Sequence, residues 1–281
     1  MKQINCKGKL VDLSSPKVMG ILNLTPDSFY DGGKFKTEND ILKQVELMLF
    51  EGATFIDIGA YSSRPSAKHI SQEEELARLI PVLKTILSHF PDILISVDTF
   101  RSEVAKQSIK AGACMINDIS AGSMDDKMFE TIAHLQVPYV IMHMVGTPQN
   151  MQHNTLYKDL VQDIIFYFSE KIFELRKLGV NDIILDLGFG FSKTLDQNYE
   201  LLSKLELFNF LDLPILAGLS RKSMLYKLLD IKPEEALNAT SVANTIALQK
   251  GSQIIRVHDV KEAMQTIELV EFYKQTYNNE S

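Results

Sequence analysis

Short apolar runs rich in Val and Ile recur at residues 18–24, 55–58, 94–97, 115–119, 139–142, 183–187, 215–219 and 254–257, alternating with longer segments whose apolar positions repeat at helical spacing. The runs predict strands, and the segments at 41–50, 73–90, 102–111, 127–135, 160–178, 199–210, 239–249 and 261–273 predict helices between them. Ser71 with Glu74 fits a capping box, and Gly112 and Gly179 stand where C′ glycines close a helix. Strands joined through helices pair in parallel, and runs apolar on both faces lie in a sheet that helices cover. Eight units is the number a (β/α)₈ TIM barrel needs; the alternative, an open doubly wound sheet, commonly has fewer. Residues 1–16 read as an additional β-hairpin turning at Gly8 and lying across one barrel end. No Pro/Gly/Ser linker or compositional break divides residues 1–281, so the expectation is a single domain.

The connections differ in length, and three are long: 23–39, 59–71 and 144–157. Each leaves the C-terminal end of a strand, the face that carries activity in barrel enzymes. The strand runs also close on polar residues: Asn23, Asp57, Asp98, Asn117, His143, Asp186, the Arg221–Lys222 pair, and Arg256 with His258. A polar residue at a strand end is usually where a sheet meets water. Here several are in register with buried positions, Asp57 with Phe55, Asp98 with Ser96, Asp186 with Ile184 and Arg256 with Ile254, so their side chains point along the buried face. An unpaired carboxylate there is costly, so the pattern implies a polar pocket at the barrel mouth.

That pocket has two halves. Asp98, Asn117 and Asp186 offer acceptors and an amide suited to a heterocycle with adjacent N–H groups. Arg64, Arg256 and His258, with Asn23, offer groups suited to phosphate oxygens. Asp57 reads rather as a support that binds backbone or a neighbouring arginine. His143, between two methionines, fits a satisfied core histidine and a ligand contact equally. Arg221 reads as salt-bridged or solvated, since it faces away from Lys222.

Composition narrows the class. With 45% hydrophobic residues, 14 Gly and 9 Pro, the chain is neither fibrous nor disordered. A formal net charge of −7 excludes a nucleic-acid binder or an anionic-membrane binder, and at first sight it disfavours a phosphorylated substrate. However, acidic residues such as Glu73, Glu74, Glu75, Asp125, Asp126, Glu234 and Glu235 are expected on helix surfaces, whereas Arg64, Lys222, Arg256 and His258 converge on one mouth. Cys6 and Cys114 match no metal or disulfide pattern, the N-terminus lacks a signal-peptide core, and no run is long enough to span a membrane, which together predict a cytoplasmic protein with reduced thiols. The string 188–194, Gly-Phe-Gly-Phe-Ser-Lys-Thr, ends like a phosphate loop but has Ser192 where Gly must precede the Lys. No Cys/His metal cluster or hydrolase motif occurs, which leaves a weakly held Mg²⁺ as the metal to consider.

The strings also resemble a known family. Met-Gly-Ile-Leu-Asn-Leu-Thr-Pro-Asp-Ser-Phe at 19–29, followed by Asp-Gly-Gly at 31–33, resembles the first signature of the dihydropteroate synthases, and Asp-Ile-Gly-Ala-Tyr-Ser-Ser-Arg-Pro at 57–65 is similar to the second. Ser-Val-Asp-Thr at 96–99, Ile-Asn-Asp-Ile at 116–119, Met-His-Met at 142–144, Asp-Leu-Gly-Phe-Gly-Phe at 186–191, Gly-Leu-Ser-Arg-Lys-Ser at 218–223 and Arg-Val-His-Asp at 256–259 follow in family order along essentially the whole chain.

The resemblance implies a barrel that joins dihydropterin diphosphate to p-aminobenzoate. It assigns the pterin to Asp98, Asn117, Met142, Asp186, Gly218 and Lys222. The diphosphate falls to Asn23, through Mg²⁺, and to Arg64, Arg256 and His258. Phe29, Ser63, Arg64, Pro65, Phe191, Lys222 and Ser223 shape the p-aminobenzoate slot. The loop bearing Asp27, Phe29 and Asp31 closes over it, and Asp31, Arg64, Lys222, Arg256 and His258 carry the catalysis.

It further implies a homodimer and a sulfonamide target; the apolar helices at 242–248 and 264–273 fit such an interface and packing against their own barrel nearly equally. The chain departs from the common pattern at Tyr61, which replaces an acid, at Ser66 and Ser192, which replace glycines, and at Leu187, where Pro is frequent. Two rivals share the pterin half: a corrinoid methyltransferase acting on methyltetrahydrofolate, which does not need Asn23, Arg64, Arg256 and His258 together, and a non-catalytic pterin-binding homologue.

Overall fold

The structure, a computed structural model, describes residues 3–24, 38–61, 69–151 and 154–278. Strands β1 (Gln3–Cys6) and β2 (Lys9–Asp12) form an antiparallel hairpin whose turn, Lys7 and Gly8, takes positive φ at both positions (55° and 84°), the mirror-image geometry that matches strand twist. Eight parallel strands then close on themselves: β3 (Lys17–Asn23), β4 (Phe55–Gly59), β5 (Leu94–Asp98), β6 (Met115–Asp118), β7 (Tyr139–Met142), β8 (Ile183–Asp186), β9 (Ile215–Ala217) and β10 (Ile254–Val257), with β10 bonded back to β3. The fold is a (β/α)₈ barrel, and the open-sheet alternative is excluded.

Helices α1 (Glu38–Phe50), α2 (Gln72–His89), α3 (Ser102–Ala111), α4 (Met128–Leu135), α5 (Leu160–Lys177), α6 (Leu195–Ser203), α7 (Ser223–Tyr226), α8 (Leu237–Gln249) and α9 (Val260–Asn278) wrap it. Their starts follow local chemistry. The Ser71 side chain accepts from Glu74 N at the head of α2, Asp159 caps α5 through Val161 N and Gln162 N, and Thr194 forms a reciprocal capping box with Gln197 at α6. The helix expected over 199–210 is two elements: α6 begins earlier, at its Thr194 cap, and stops at Ser203. A 3₁₀ segment, Leu205–Leu211, follows, because Leu205, Phe208 and Leu211 repeat every three residues and that tighter spiral keeps them on one side. The short α7 was not expected from periodicity.

Outward-facing strand residues such as Val18, Leu22, Ile56, Ile58, Ile95 and Val97 form the main core with the helices. Inward-facing residues form a separate cluster at the N-terminal end of the barrel: Met19, Phe55, Leu94, Met115, Val140, Ile184, Leu216 and Ile254. The hairpin lies across this end as expected, its Ile4, Cys6, Val11 and Leu13 joining the same cluster, and Asn5 N donates to Asp182 Oδ2 at 3.2 Å. Cys6 and Cys114 meet in this cluster, and both thiols are free and buried. One surface expectation fails: Glu75 is fully buried, because α2 turns it inward against Arg101 and Thr99. Among the described residues no helix is long and apolar enough to cross a membrane.

Candidate active site

Two residues beyond the apolar layer, the same strands place polar side chains on the same inner face. Pairing sets Asp57 beside Ser96 and Asp98 beside Asn117, so β4, β5 and β6 present a carboxylate, a second carboxylate and an amide side by side. From β10, Arg256 closes the ring: its Nε donates to Asp57 Oδ2 at 2.6 Å and Nη2 to Asp98 Oδ2 at 3.2 Å. Asn117 Nδ2 donates to the same Asp57 oxygen at 3.0 Å. Asp57 thus supports Arg256, the neighbouring arginine that the sequence reading allowed for, and Asn117 as well, while Arg256 Nη1 makes no hydrogen bond among the described residues.

The other side of the mouth comes from β8 and β9. Asp186 is buried and its Oδ1 accepts from Gly188 N at 2.8 Å. Lys222 donates to the Phe189 carbonyl and sits 4.6 Å from the centroid of Phe191, a cation over a ring face. The stem of Lys222 runs against Gly190, where a Cβ would lie 3.3 Å from Cδ and φ is +81°. At Gly218 the nearest atom to an added Cβ would be Asp186 Oδ2, at 3.8 Å, so the glycine leaves the space beside that carboxylate open. Met142, with Tyr61, Ile70, Phe100, Ile119, Met144 and Met151, builds an apolar wall against which Phe191 packs. Ser223 follows Lys222 and is half-buried, as is His258, whose Nδ1 lies 2.9 Å from Ser220 Oγ.

The charges in this small volume offset one another: Asp57, Asp98 and Asp186 face Arg256, Lys222 and Lys193. Burial, and next the Asp57 charge, push Asp98 up to about 7. Burial also raises Asp186, against the opposing pull of Lys222. Lys222 is brought down to about 8 by burial, against Asp186. For Arg256 burial opposes the charge, but Asp57 and Asp98 outweigh it and its pKa rises. Carboxylates raised by burial and set beside cations are the condition of a site that exchanges hydrogen bonds with a ligand.

Several residues take other places. His143 is a satisfied core histidine, not a ligand contact: it packs edge-on against Tyr167 at 4.9 Å, its Nδ1 lies 3.0 Å from Lys193 Nζ, and burial lowers its pKa far below the usual value. Arg221 is salt-bridged, as expected, donating to both oxygens of Asp259 at 2.9 and 2.7 Å.

Lys193 was passed over with the discarded phosphate-loop string. It is buried, and its Nζ donates to the carbonyls of Gly188 at 2.9 Å and Phe191 at 3.0 Å, fastening the loop that carries Phe191, while burial lowers its pKa to about 7. A lysine directly after that glycine-rich turn was the available signal.

Ser192 does sit in the left-handed region (φ 50°), where glycine is common. Its hydroxyl offsets the strain by bonding both Val145 N (2.9 Å) and Val145 O (2.8 Å), which staples the loops after β7 and β8 together. Asn23 ends β3 half-buried, and its amide has no hydrogen-bond partner among the described residues. Asp27, Phe29, Asp31, Ser63, Arg64, Pro65 and Ser66 lie outside the described residues.

The arrangement can bind a flat, polar heterocycle: acceptors from Asp98 and Asp186, an amide from Asn117, a cation from Lys222, and an apolar wall beside them, with the Arg256 guanidinium at the rim for an anion.

Comparison with known proteins agrees with that chemistry. A family model described as "Pterin binding enzyme" matches residues 19–258. The dihydropteroate synthase of Escherichia coli (strain K12) is 45% identical over 267 residues, covering 94% of each chain. The dihydropteroate synthase of Yersinia pestis, solved as a sulfonamide drug complex, superposes with a TM-score of 0.93 at 42% identity, covering 97% of this chain and 99% of that one. The enzyme of Xanthomonas albilineans, solved with 4-aminobenzoic acid, gives 0.89 at 36% identity, covering 97% and 98%.

Proposed function

The chain belongs to the pterin-binding enzyme family, among its dihydropteroate synthases, and from that premise we infer that it condenses (7,8-dihydropterin-6-yl)methyl diphosphate with 4-aminobenzoate, giving 7,8-dihydropteroate and diphosphate in folate synthesis. The observation that carries the reading is the convergence of Asp98, Asn117, Asp186 and Lys222 around the slot that Gly218 leaves open, with Arg256 at its rim. The corrinoid methyltransferase needs only the pterin half, and it is not favoured.

In this reading Asp98 and Asp186 accept the pterin N–H groups, Asn117 and Lys222 complete its edge, and Met142 lies against its face. Arg256 and His258, with Arg64, hold the diphosphate. The bond from the pterin methylene carbon to the diphosphate oxygen breaks, the electron pair leaving with diphosphate. The arylamine nitrogen, neutral at pH 7, then forms the new C–N bond and releases a proton to solvent, so no strong base is required. The electron-rich ring and carboxylates such as Asp31, the residue the family resemblance assigns to this role, stabilise positive charge on the methylene. Phe29, Ser63, Pro65, Phe191 and Ser223 shape the p-aminobenzoate slot, with Lys222 between the two substrates.

A magnesium ion would suit the mouth, since it usually keeps waters and phosphate oxygens and takes one or two protein ligands, and the side chain of Asn23 at the end of β3, which has no hydrogen-bond partner among the described residues, offers one. Bound there with the diphosphate, it would supply charge neutralisation on the leaving group.

We further propose a homodimer, supported by Val242 on α8 and Leu269, Phe272 and Tyr273 on α9, all more than half exposed. The free thiols fit a cytoplasmic location, and the 1–281 chain acting as one unit fits the single closed barrel.

Purified protein given the dihydropterin diphosphate, 4-aminobenzoate and Mg²⁺ is expected to release diphosphate and form dihydropteroate. Release of diphosphate without 4-aminobenzoate supports the dissociative order, release only with it points to concerted displacement, and no turnover would favour the non-catalytic homologue.

A further inference from the structure

We propose that Ser220 is a positioning residue for His258: its hydroxyl donates to Nδ1 and so keeps the ring proton on Nε2, the form that donates to a diphosphate oxygen; this rests on the function inferred above. The register of β9 with β10 ends at Ala217 and Ile255, and beyond it side chains tie the two strand exits together. Ser220 Oγ accepts from His258 N at 3.2 Å and lies 2.9 Å from His258 Nδ1. One position further along each exit, the Arg221 guanidinium donates to both oxygens of Asp259. Arg221 N also donates to Thr240 Oγ1 at 3.0 Å, which steadies the left-handed backbone of Arg221 (φ 54°). Ser220 and His258 therefore each have a fixed neighbour, and the hydroxyl meets the ring in a braced frame. Val257 belongs to the outer core, so alternation sets Arg256 and His258 together on the inner side.

Counting protons assigns the tautomer. A serine hydroxyl has one proton to give and lone pairs with which to receive. Among the described residues Ser220 Oγ meets two groups, both on His258: a backbone N–H, which can only donate, and Nδ1. The hydroxyl proton therefore has one protein acceptor, Nδ1, and Ser220 is buried, which limits competition from water. A neutral imidazole whose Nδ1 accepts carries its own proton on Nε2, the nitrogen remote from Ser220. Diphosphate oxygens only accept, so this tautomer attracts them, whereas the other would present a lone pair to an anion. A partner behind the ring that fixes which nitrogen is protonated is a common way of preparing a histidine for its ligand. Ser220 acts through the ring and touches no reacting atom. The Arg221–Asp259 pair contributes by holding the backbones on either side, so little freedom is lost when the anion arrives.

The test uses the full-length protein, labelled with ¹⁵N in its histidine rings, and the variants Ser220→Ala, Ser220→Thr and Ser220→Cys. His258→Gln identifies the His258 signals among the six histidines. At about pH 8, above the range in which imidazole usually titrates, the wild-type ring is expected to show a protonated Nε2 and an unprotonated, hydrogen-bonded Nδ1. Ser220→Ala should move both nitrogens toward the averaged shifts of mixed tautomers, and Ser220→Thr, which restores the hydroxyl, should return them. In turnover, Ser220→Ala is expected to lower kcat/KM for the dihydropterin diphosphate about tenfold, while affinity for 6-hydroxymethyl pterin, by calorimetry, stays within about twofold. If Ser220→Ala does not fold, Ser220→Cys, a weak donor of similar size, carries both readouts. A wild-type His258 protonated on Nδ1, a tautomer unmoved by loss of the hydroxyl, or an equal loss for both ligands overturns the proposal. A wild-type protein that does not turn over would sink the functional reading, whereas the ring spectrum would still decide whether Ser220 sets the tautomer.

Discussion

Phe55 and Asp57 share a strand and an inner face, yet they live in different surroundings: Phe55 packs among Met19, Leu94 and the hairpin's Ile4, while Asp57 binds Arg256 and Asn117. The same two-residue step separates Ile184 from Asp186 and Ile254 from Arg256. The N-terminal end of the barrel is closed by the chain itself, because Ile4, Cys6, Val11 and Leu13 fill it, so its inner residues can all be apolar. At the C-terminal end the inner residues are acids, amides and cations that satisfy one another only in part, leaving Arg256 Nη1 and the space beside Asp186 for a ligand. Stability and binding are thus sorted along the barrel axis by the pleat of each strand.

The sharpest way to break this division is to cut the apolar layer. Phe55→Ala is expected to lose about 3–5 kcal/mol of stability in urea titration, because Phe55 is fully buried and its neighbours hold their places on a closed barrel. Pterin affinity of the folded variant should stay close to the wild type. A loss of affinity in step with the loss of stability would show that the two ends are one coupled unit.

The complementary change is Asp98→Asn at the mouth. An amide cannot accept two parallel N–H bonds, so pterin affinity by calorimetry should fall about 100-fold or more, on the order of 3 kcal/mol. Stability should be unchanged or higher, since the variant removes a carboxylate that burial disfavours in its charged form. Wild-type-like affinity would take Asp98 out of the pterin site.

The apolar end was almost wholly legible in the sequence, and the mouth only in part, for a physical reason. Burial of Phe55, Ile184 or Ile254 is a property of one residue and its register, so alternation along a strand suffices to read it. The polar ends were legible as a set, register turned Asp57 inward, and its reading as a support for a neighbouring arginine agrees with its bond to Arg256. What escaped were partnerships across the barrel. Glu75 looked like one more acid on a helix surface, and only the approach of α2 to the residue after β5 makes it the buried partner of Arg101. His143 could be read both ways until Lys193, 50 positions away, appeared beside it. Tyr61 was noticed only as a departure from the family pattern. Its contacts with Arg101, His69 and Gln149 come from different loops, and periodicity carries no information about loops.

The mildest perturbation, a change of pH, should move the two properties of the mouth in opposite directions. Burial, with Asp57, raises Asp98 to about 7, against about 4 in an unfolded chain. A carboxyl raised on folding stabilises the fold while it is protonated. Its contribution is full below about pH 4 and is lost as pH rises through about 7. Lowering the pH from 8 to 6 should therefore recover part of the stability that ionised Asp98 costs, and the difference between wild type and Asp98→Asn in urea midpoints should shrink over that interval. Pterin binding needs the ionised carboxylate, so affinity should fall about tenfold between pH 7.5 and pH 6. It should also decline above about 8, where Lys222 gives up its proton. A wild-type affinity that stays flat across pH 6 to 9 would mean that neither group titrates in the binding step.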